Sequence, residues 1–351
     1  MAPSAVETQA PTADAQKVKL YPGHVEGVYK ELSPVAYRRE AEEKGIDGHA
    51  AAKTKSTLPL EPFEHYEHGK DADPTFPNLL KSTTKISHLT PTIGTEIEGV
   101  QLSSLSDAGK DELARYVAER KVFGGYFGRH HIHPTSGSPE GHPEIHLVHR
   151  SAGDKSYEEF FKTRVSSVAW HSDITYEQQP PGTTFLYVLD NPDTGGDTLF
   201  ANTVEAYNRL SPTFQKLLHG LKATHSGIEQ VNASVKKGSI KRREPVVNEH
   251  PIVRTHPVTG EKSLFVNPQF TRSIVGLKKE ESDAILNFLY EHIAWGADFH
   301  ARVRWQEKTV VVWDNRSVQH TAILDWHSGQ RRHLARITPQ AERPYETPFE
   351  G

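Results

Sequence analysis

Two histidines and one aspartate constrain the fold of this chain more than any other feature, because they can act together only where they meet. His171 and Asp173 are separated by one residue, whereas His320 follows much later in the chain. In an extended strand, residues i and i+2 point to the same face, so His171 and Asp173 could bind one ion together. Two imidazoles and one carboxylate are the ligands of non-haem Fe(II) oxygenases, where they leave other coordination positions open. We therefore expect a fold that returns His320 to the strand carrying the other two residues.

The composition restricts the class of protein and of partner. The 351 residues suffice for a sizeable core, and they contain no apolar run near the ~20 residues needed to span a membrane. The formal net charge is −4, and Lys and Arg are interspersed with acidic residues, so we expect neither a nucleic acid nor a membrane as partner. Cysteine is absent, and the first 16 residues resemble neither a signal peptide nor a transit peptide. We expect a cytoplasmic protein with a disordered leader.

The chain changes character at about residue 85. Residues 1–85 are predicted to form an N-terminal tail and wrapping segment, with a short helical patch at 34–44, and residues 86–344 a single domain of strands and inserted helices. Predicted strands cover residues 93–102, 169–174, 183–189, 252–255, 264–266, 309–313 and 333–338, and predicted helices cover 106–120, 157–163, 203–210, 213–219 and 279–293. Residues 226–244 are predicted to be a mobile loop. This order predicts a mainly β fold with a double-stranded β-helix, or jelly-roll, core.

Five short motifs occur in one order along the predicted domain. They are WHSDIT (170–175), GGDTL (195–199), HPIVRTHP (250–257), WDNR with the following QH (313–320), and QRR (330–332). Together they resemble the taurine dioxygenase family of Fe(II)/2-oxoglutarate-dependent dioxygenases, and most of all its fungal sulfonate/α-ketoglutarate dioxygenase branch. The resemblance covers most of the chain, from about residue 86 to residue 344.

The resemblance implies an Fe(II) centre that uses 2-oxoglutarate and O₂ as co-substrates. The residues implied to bind iron, and so to form the catalytic centre, are His171, Asp173 and His320. The residues implied to surround 2-oxoglutarate are Thr198, Arg332 and Trp313. An arginine suits the far carboxylate because its guanidinium is permanently charged and can bind in a bidentate manner. Structural roles remain open for these side chains, such as core packing for Trp313 and turn stabilisation for Thr198.

The resemblance also implies a site for a small anionic substrate. His133 in an HIHP sequence, and Arg336 four residues beyond Arg332, would bind its head group. A solvated loop histidine and a salt-bridged arginine are the structural alternatives. The six histidines between His130 and His149 could instead suggest zinc, but their spacing lacks an ordered tetrahedral signature.

Two departures from the family pattern concern the substrate side. Residues 117–128 run almost directly into His130, where the family has a further strand and part of a helix, so one core strand is predicted to be missing. Residues 135–137 are Thr, Ser and Gly, where taurine enzymes have an aromatic residue. A different or larger substrate is therefore compatible with this loop.

Three functional hypotheses follow from these observations. The leading one is oxidation of an alkyl sulfonate next to sulfur, which releases sulfite and an aldehyde. The second keeps the mechanism but acts on a carboxylate, an amino acid or a purine, by hydroxylation, desaturation or cyclisation. The third is a catalytically impaired pseudoenzyme that binds a metal or ligand. The resemblance also implies a homodimer or homotetramer.

Overall fold

Antiparallel strands form the framework of the computed structural model. It describes residues 60–120, 129–135, 137–139, 142–150, 153–154, 156–236, 241–306, 309–326 and 329–349. The predicted leader, the helical patch at 34–44 and most of the segment before His130 lie outside the described residues. In the described parts of the chain, no helix is both long and apolar enough to cross a membrane.

The strands are β1 (Lys85–His88), β2 (Thr95–Glu98), β3 (His146–Arg150), β4 (Thr183–Asp190), β5 (Thr198–Asn202), β6 (Lys222–Ser226), β7 (Val247–Pro251), β8 (Val253–Thr255), β9 (Lys262–Leu264), β10 (Thr271–Ile274), β11 (His300–Val303), β12 (Val310–Asp314), β13 (Val318–Ala322) and β14 (Arg332–Ile337). The α-helices are α1 (Asp107–Arg120), α2 (Ser156–Thr163), α3 (Thr203–Asn208), α4 (Pro212–Leu218), α5 (Ile228–Lys236) and α6 (Lys279–Trp295). Short 3-10 helices cover His68–Lys70, Leu102–Ser104 and Ala297–Phe299.

Two sheets face each other across the core that supports the site. One has the strand order β12-β4-β14-β3, the other has the order β11-β5-β13, and every pairing in them is antiparallel. Side chains from both sheets join one buried cluster: Ile93, Leu186, Val188, Phe200, Ala301, Trp305, Val311, Trp313, Val318 and Leu334. Alternate residues of each strand supply this layer, as expected for sheets packed face to face. The predicted mainly β, jelly-roll fold is confirmed, although the described strands do not form a closed barrel.

Three helices, α3, α4 and α6, pack with residues of β5 in a second core on the outside of the smaller sheet. Leu286, Leu289 and Ile293 of α6 are buried there, on the stripe that the 3.6-residue period predicts. Ser211 begins α4 by accepting a hydrogen bond from the backbone of Phe214, with Pro212 at the first helical position. The predicted helices at 106–120, 157–163, 203–210, 213–219 and 279–293 are confirmed, with ends shifted by one or two residues.

Two predictions of local structure are wrong. Residues 169–174 do not form a strand: His171 makes an isolated bridge to His320, and Ile174 then adopts a φ of 37° in a turn. The chain leaves the sheet there because the backbone N–H of Asp173 bonds to the Asn315 side chain instead of a strand partner. Residues 226–244 are not simply a loop, since α5 occupies their first half.

Candidate active site

The predicted metal ligands converge where the bridge joins β13 to the turn after His171. The backbone N–H of His171 donates to the carbonyl oxygen of His320 at 3.0 Å, and that of His320 donates to His171 at 2.8 Å. One ligating atom from each of His171, Asp173 and His320 lies within 4.8 Å of the others. Asp173 Oδ1 is 3.9 Å from His320 Nε2. The bridge and turn, rather than one strand, therefore gather the three side chains.

Both histidines are held in the form that binds a metal. The ring Nδ1 of His171 donates to the carbonyl oxygen of Ala169 at 2.7 Å, which leaves the lone pair on Nε2. Burial lowers the pKa of His171, and burial together with His171 lowers the pKa of His320 to about 3. The His320 ring lies 4.7 Å from that of Trp313 and 6.0 Å from that of Phe200, measured between centroids. Both imidazoles are therefore neutral at physiological pH, as metal ligation requires.

The Asp173 carboxylate accepts a hydrogen bond on each of its two oxygens. The amide of Asn315 donates to Thr184 Oγ1 at 2.8 Å, and the Thr184 hydroxyl donates to Asp173 Oδ2 at 2.8 Å. Arg336 Nη1 donates to the other oxygen, Oδ1, at 2.5 Å. Burial acts to raise the pKa of Asp173, but Arg336 and the two neighbouring histidines outweigh burial and lower it to about 2. Asp173 is thus an oriented, ionised carboxylate, the form that a metal ligand requires.

This donor set fits Fe(II), because two neutral imidazoles and one carboxylate on one side leave the remaining coordination positions for other molecules. One other group of possible ligands meets among the described residues, namely His65, Glu67 and Glu342. There Arg316 Nη1 hydrogen-bonds to Glu67 and lies 3.4 Å from Glu342 Oε2. Arg254 also pairs with Glu342, so two guanidiniums pair with the two carboxylates, and this partly buried group is an ion-pair network rather than a metal site.

Arg332 offers a buried cationic group of the kind a carboxylate would need. Its Nε donates to the carbonyl oxygen of Gly196 at 3.1 Å, and its guanidinium lies 5.6 Å from the centroid of the Trp326 ring. Among the described residues, neither terminal nitrogen has a hydrogen-bond acceptor. Burial, together with the charge of Arg150, lowers the pKa of Arg332 to about 10. A carboxylate would stabilise this buried positive charge through charge-assisted hydrogen bonds. Arg332 therefore fits the far carboxylate of 2-oxoglutarate.

Thr198 lies close in the chain to the contact of Arg332, whereas Trp313 lies behind His320. Thr198 is buried at the start of β5, two residues after the Gly196 carbonyl that holds Arg332, and its hydroxyl oxygen accepts from Trp305 Nε1 at 3.2 Å. No described residue accepts a hydrogen bond from this hydroxyl, so its hydrogen can be donated to a ligand. Trp313 is fully buried and lies behind His320, with its own Nε1 donating to Asn315. The role of Trp313 as a wall of the co-substrate site stays a prediction.

The predicted substrate residues, His133 and Arg336, lie beside the predicted metal ligands. Arg336 reaches Asp173 through Nη1, and its Nη2 donates to Nδ1 of His146 at 2.6 Å. The His133 ring centroid is 4.4 Å from that of His146. His146 was one of the six histidines considered for zinc, yet here it belongs to the predicted substrate site. His149, on the opposite face of β3, packs instead against His333.

A clamp holds the loop that carries His133. The backbone N–H of Arg242 donates to the carbonyl oxygen of Pro134 at 2.7 Å, and Arg243 Nε donates to that of Ile132 at 3.3 Å. The Arg243 guanidinium also contacts the buried Glu177 carboxylate. We call residues 241–243 and these contacts the arginine clamp. It fixes the loop from both sides of His133.

Sequence reasoning missed four positioning elements: Thr184, Asn315, His146 and the arginine clamp. Asn315 belongs to the WDNR motif, so its motif could have indicated it. Nothing in the local sequence distinguishes Thr184, His146 or residues 241–243, because their importance arises from contacts between distant parts of the chain.

Comparison with known proteins gives a consistent result. Residues 85–338 match the model of the family described as "Taurine catabolism dioxygenase TauD, TfdA family". The chain is 45% identical, over 84% of its length and 76% of the relative's, to an alpha-ketoglutarate-dependent sulfonate dioxygenase of Saccharomyces cerevisiae. It is 44% identical to the alpha-ketoglutarate-dependent dioxygenase cnsP of Penicillium expansum, over 82% and 84% of the two chains. A crystal structure of a taurine dioxygenase from Burkholderia xenovorans is similar, with 28% identity, a TM-score of 0.61, and coverage of 75% of this chain and 92% of the other.

Proposed function

Because the chain belongs to the taurine catabolism dioxygenase TauD, TfdA family, we propose that this 2-oxoglutarate-dependent dioxygenase oxidises an alkyl sulfonate with Fe(II). The iron would be held by His171, Asp173 and His320. Hydroxylation of the carbon next to sulfur breaks the C–S bond and releases sulfite and an aldehyde. One oxygen atom of O₂ enters the substrate and the other enters succinate, as 2-oxoglutarate loses CO₂. The small-molecule substrate is anionic in this proposal.

Each side chain contributes binding, orientation or exclusion of water. The iron, when bound, supplies the redox chemistry that couples 2-oxoglutarate decarboxylation to oxidation of a C–H bond. Arg332 would pair with the far carboxylate of 2-oxoglutarate, and the Thr198 hydroxyl would donate a further hydrogen bond. The buried rings of Trp313 and Phe200 surround the His320 imidazole and exclude water from that side.

Arg336 is the observation that carries the proposal. It contacts both an iron ligand, Asp173, and His146, whose ring neighbours His133. An anionic head group bound by Arg336 therefore lies next to the metal centre, which brings the adjacent C–H bonds towards the iron. The relative from Saccharomyces cerevisiae, named as a sulfonate dioxygenase, supports a sulfonate as that head group.

The other elements of the proposal concern organisation. Residues 86–344 would form the dioxygenase domain, with residues 1–85 as an N-terminal tail and wrapping segment. A cytoplasmic location and a homodimeric or homotetrameric state remain predictions, which fractionation and light scattering of the purified protein can test.

The test is an anaerobic titration of the apoprotein with Fe(II) and 2-oxoglutarate, followed by the visible metal-to-ligand charge-transfer band. The wild type should develop the band, whereas His320→Ala and Arg332→Ala should weaken or lose it, and Arg331→Ala should keep it. Sulfite release from alkanesulfonates under O₂ then tests the substrate. A folded, metal-loaded wild type without the band would refute the iron and co-substrate assignments.

Substrate screening separates the remaining hypotheses. Turnover of a carboxylate, an amino acid or a purine, with no sulfite from any sulfonate, would replace the sulfonate proposal by the second hypothesis. A charge-transfer band without turnover of any class would favour the pseudoenzyme.

A further inference from the structure

His146 lies between the two residues proposed to bind the substrate head group. In the pairing of β3 with β14, His146 is the direct cross-strand partner of Arg336. Its Nδ1 is 2.6 Å from Arg336 Nη2, and its ring centroid is 4.4 Å from that of His133. Three side chains that can bind an anion are therefore adjacent at the edge of the metal centre.

The contacts of the two histidines fix where their protons are. A guanidinium can only donate, so Nδ1 of His146 must accept from Arg336, and the ring hydrogen of neutral His146 is on Nε2. The backbone N–H of Thr135 donates to Nδ1 of His133 at 3.2 Å, which places the hydrogen of neutral His133 on Nε2 as well. Burial, followed by the charge of Arg336, holds the pKa of both rings well below the ordinary value. Both neighbouring rings are thus neutral N–H donors.

The site has more donors than acceptors. Arg336 has five N–H donors, of which one faces Asp173 and one faces His146, and its buried Nε has no hydrogen-bond acceptor in the part of the chain that the structure describes. Among the described residues, Nε2 of His146 also has no acceptor. A ligand that only accepts hydrogen bonds would satisfy these groups, and an oxyanion is such a ligand.

We propose that His146 is a specificity-determining residue that donates its Nε2–H to one oxygen of a sulfonate head group, beside His133 and Arg336. This inference rests on the proposed sulfonate dioxygenase function. A sulfonate has three oxygens, so each of the three side chains can serve one of them. A carboxylate has two oxygens, which accept hydrogen bonds mainly in the plane of the group, so it fits three donors placed around a tetrahedral head group less well. His146 therefore favours sulfonates over carboxylates of the same chain length.

The substitutions His146→Asn and His146→Gln distinguish a direct hydrogen bond from His146 to the substrate from a role of His146 in positioning Arg336. The asparagine side chain retains an acceptor near the position of Nδ1 but does not reach the position of Nε2. The longer glutamine amide reaches the Nε2 position with an N–H donor. The matched control is His149→Asn on the opposite face of the same strand, where the ring packs against His333. Circular dichroism and the charge-transfer band with 2-oxoglutarate report whether each variant is folded with an intact metal centre.

The measurement is the dissociation constant of an alkanesulfonate and of the alkanecarboxylate with the same carbon chain. Both are titrated anaerobically into the Fe(II)–2-oxoglutarate complex, and the shift of the charge-transfer band reports binding. His146→Asn should weaken sulfonate binding by about 10- to 100-fold, the loss expected for one hydrogen bond to a charged group, and carboxylate binding by less than about 3-fold. His146→Gln should recover part of the sulfonate affinity, and His149→Asn should leave both affinities unchanged.

The alternatives give different results. Equal losses for the sulfonate and the carboxylate would show that His146 only positions Arg336, and unchanged sulfonate affinity in His146→Asn would show no role in binding; either result overturns the inference. Wild-type protein that forms the charge-transfer band but binds no alkanesulfonate would overturn the proposed sulfonate function, and the inference with it.

Discussion

Replacing Arg332 by methionine should change the affinity for 2-oxoglutarate and the stability of the protein in opposite directions. In the structure the guanidinium is buried, and its Nε donates to the carbonyl oxygen of Gly196, whereas its terminal nitrogens have no acceptor among the described residues. Methionine has a similar length and no charge. The substitution therefore removes the proposed carboxylate ligand and, at the same time, an unfavourable buried charge.

The size of the stability effect follows from the pKa. Lowering the pKa of Arg332 from its ordinary value to about 10 corresponds to about 3 kcal/mol of unfavourable free energy for the charged form. Because the group is a cation, this cost is present at every pH below about 10 and disappears only above the ordinary pKa of arginine. Loss of the hydrogen bond to Gly196 offsets about 1 kcal/mol. The variant should therefore be more stable by about 1–2 kcal/mol in the absence of 2-oxoglutarate.

The size of the binding effect follows from the two terminal nitrogens of Arg332, for which the described residues supply no acceptor. Hydrogen bonds to charged groups contribute about 1.5–3 kcal/mol each, so losing a bidentate pair raises the dissociation constant of 2-oxoglutarate by about 100- to 10,000-fold. Calorimetric titration with Mn(II) in place of iron measures that constant without turnover. Thermal unfolding with and without 2-oxoglutarate measures both effects in one experiment, because the ligand should raise the melting temperature of the wild type only.

The neighbouring Arg331 provides the control, since its side chain is ion-paired with Asp190 at 3.7 Å. Arg331→Met should bind 2-oxoglutarate as the wild type does. Arg332→Met with wild-type affinity would show that Arg332 is not the carboxylate ligand. A lower stability of Arg332→Met without 2-oxoglutarate would show that the buried charge is not a cost to the native state.

Two further predictions concern the support of the metal centre and the response to acid. Thr184→Val removes the hydroxyl that donates to Asp173 Oδ2, so Mn(II) affinity should fall by about 10- to 100-fold in a metal titration, whereas Thr183→Val should have no effect; equal affinities would contradict this role. Burial lowers the pKa of His250 from 6.5 to about 4, so the unfolded chain binds a proton that the native state excludes, and stability falls as pH drops from 6.5 to 4. His250→Gln, which can still donate to the Glu177 carbonyl, should reduce that decline by about 3 kcal/mol in urea unfolding measured across this range, and an unchanged decline would refute the assignment.

Short motifs were sufficient to predict which residues meet in the candidate site. His171 and Asp173 are almost adjacent, and Arg332 and Arg336 lie on one strand, so local sequence contains most of the pattern. The predicted strand at 169–174 was nevertheless wrong, because the alternation that suggested it carries no information about the Asn315 side chain. That side chain takes the backbone N–H of Asp173 and ends the pairing.

Features that depend on distant pairing could not be predicted. The position of His146 is set by the register of β3 against β14, which joins segments far apart in the chain. Residues 226–244 were assigned to a loop because of their Gly and basic residues. The spacing of Ile228, Val231 and Val235 was the signal for α5, and only Val231 of these three is buried.

The arginine clamp has a consequence for the exchange of substrate specificity between related enzymes. The loop that carries His133 is held by backbone and side-chain hydrogen bonds from Arg242 and Arg243, more than a hundred positions later in the chain. A chimera that receives residues 129–139 alone loses these partners and separates His131 from the Glu177 carboxylate, which lies 3.2 Å from its ring. The two segments therefore form one unit of recombination, and a graft of the loop has to include residues 241–243.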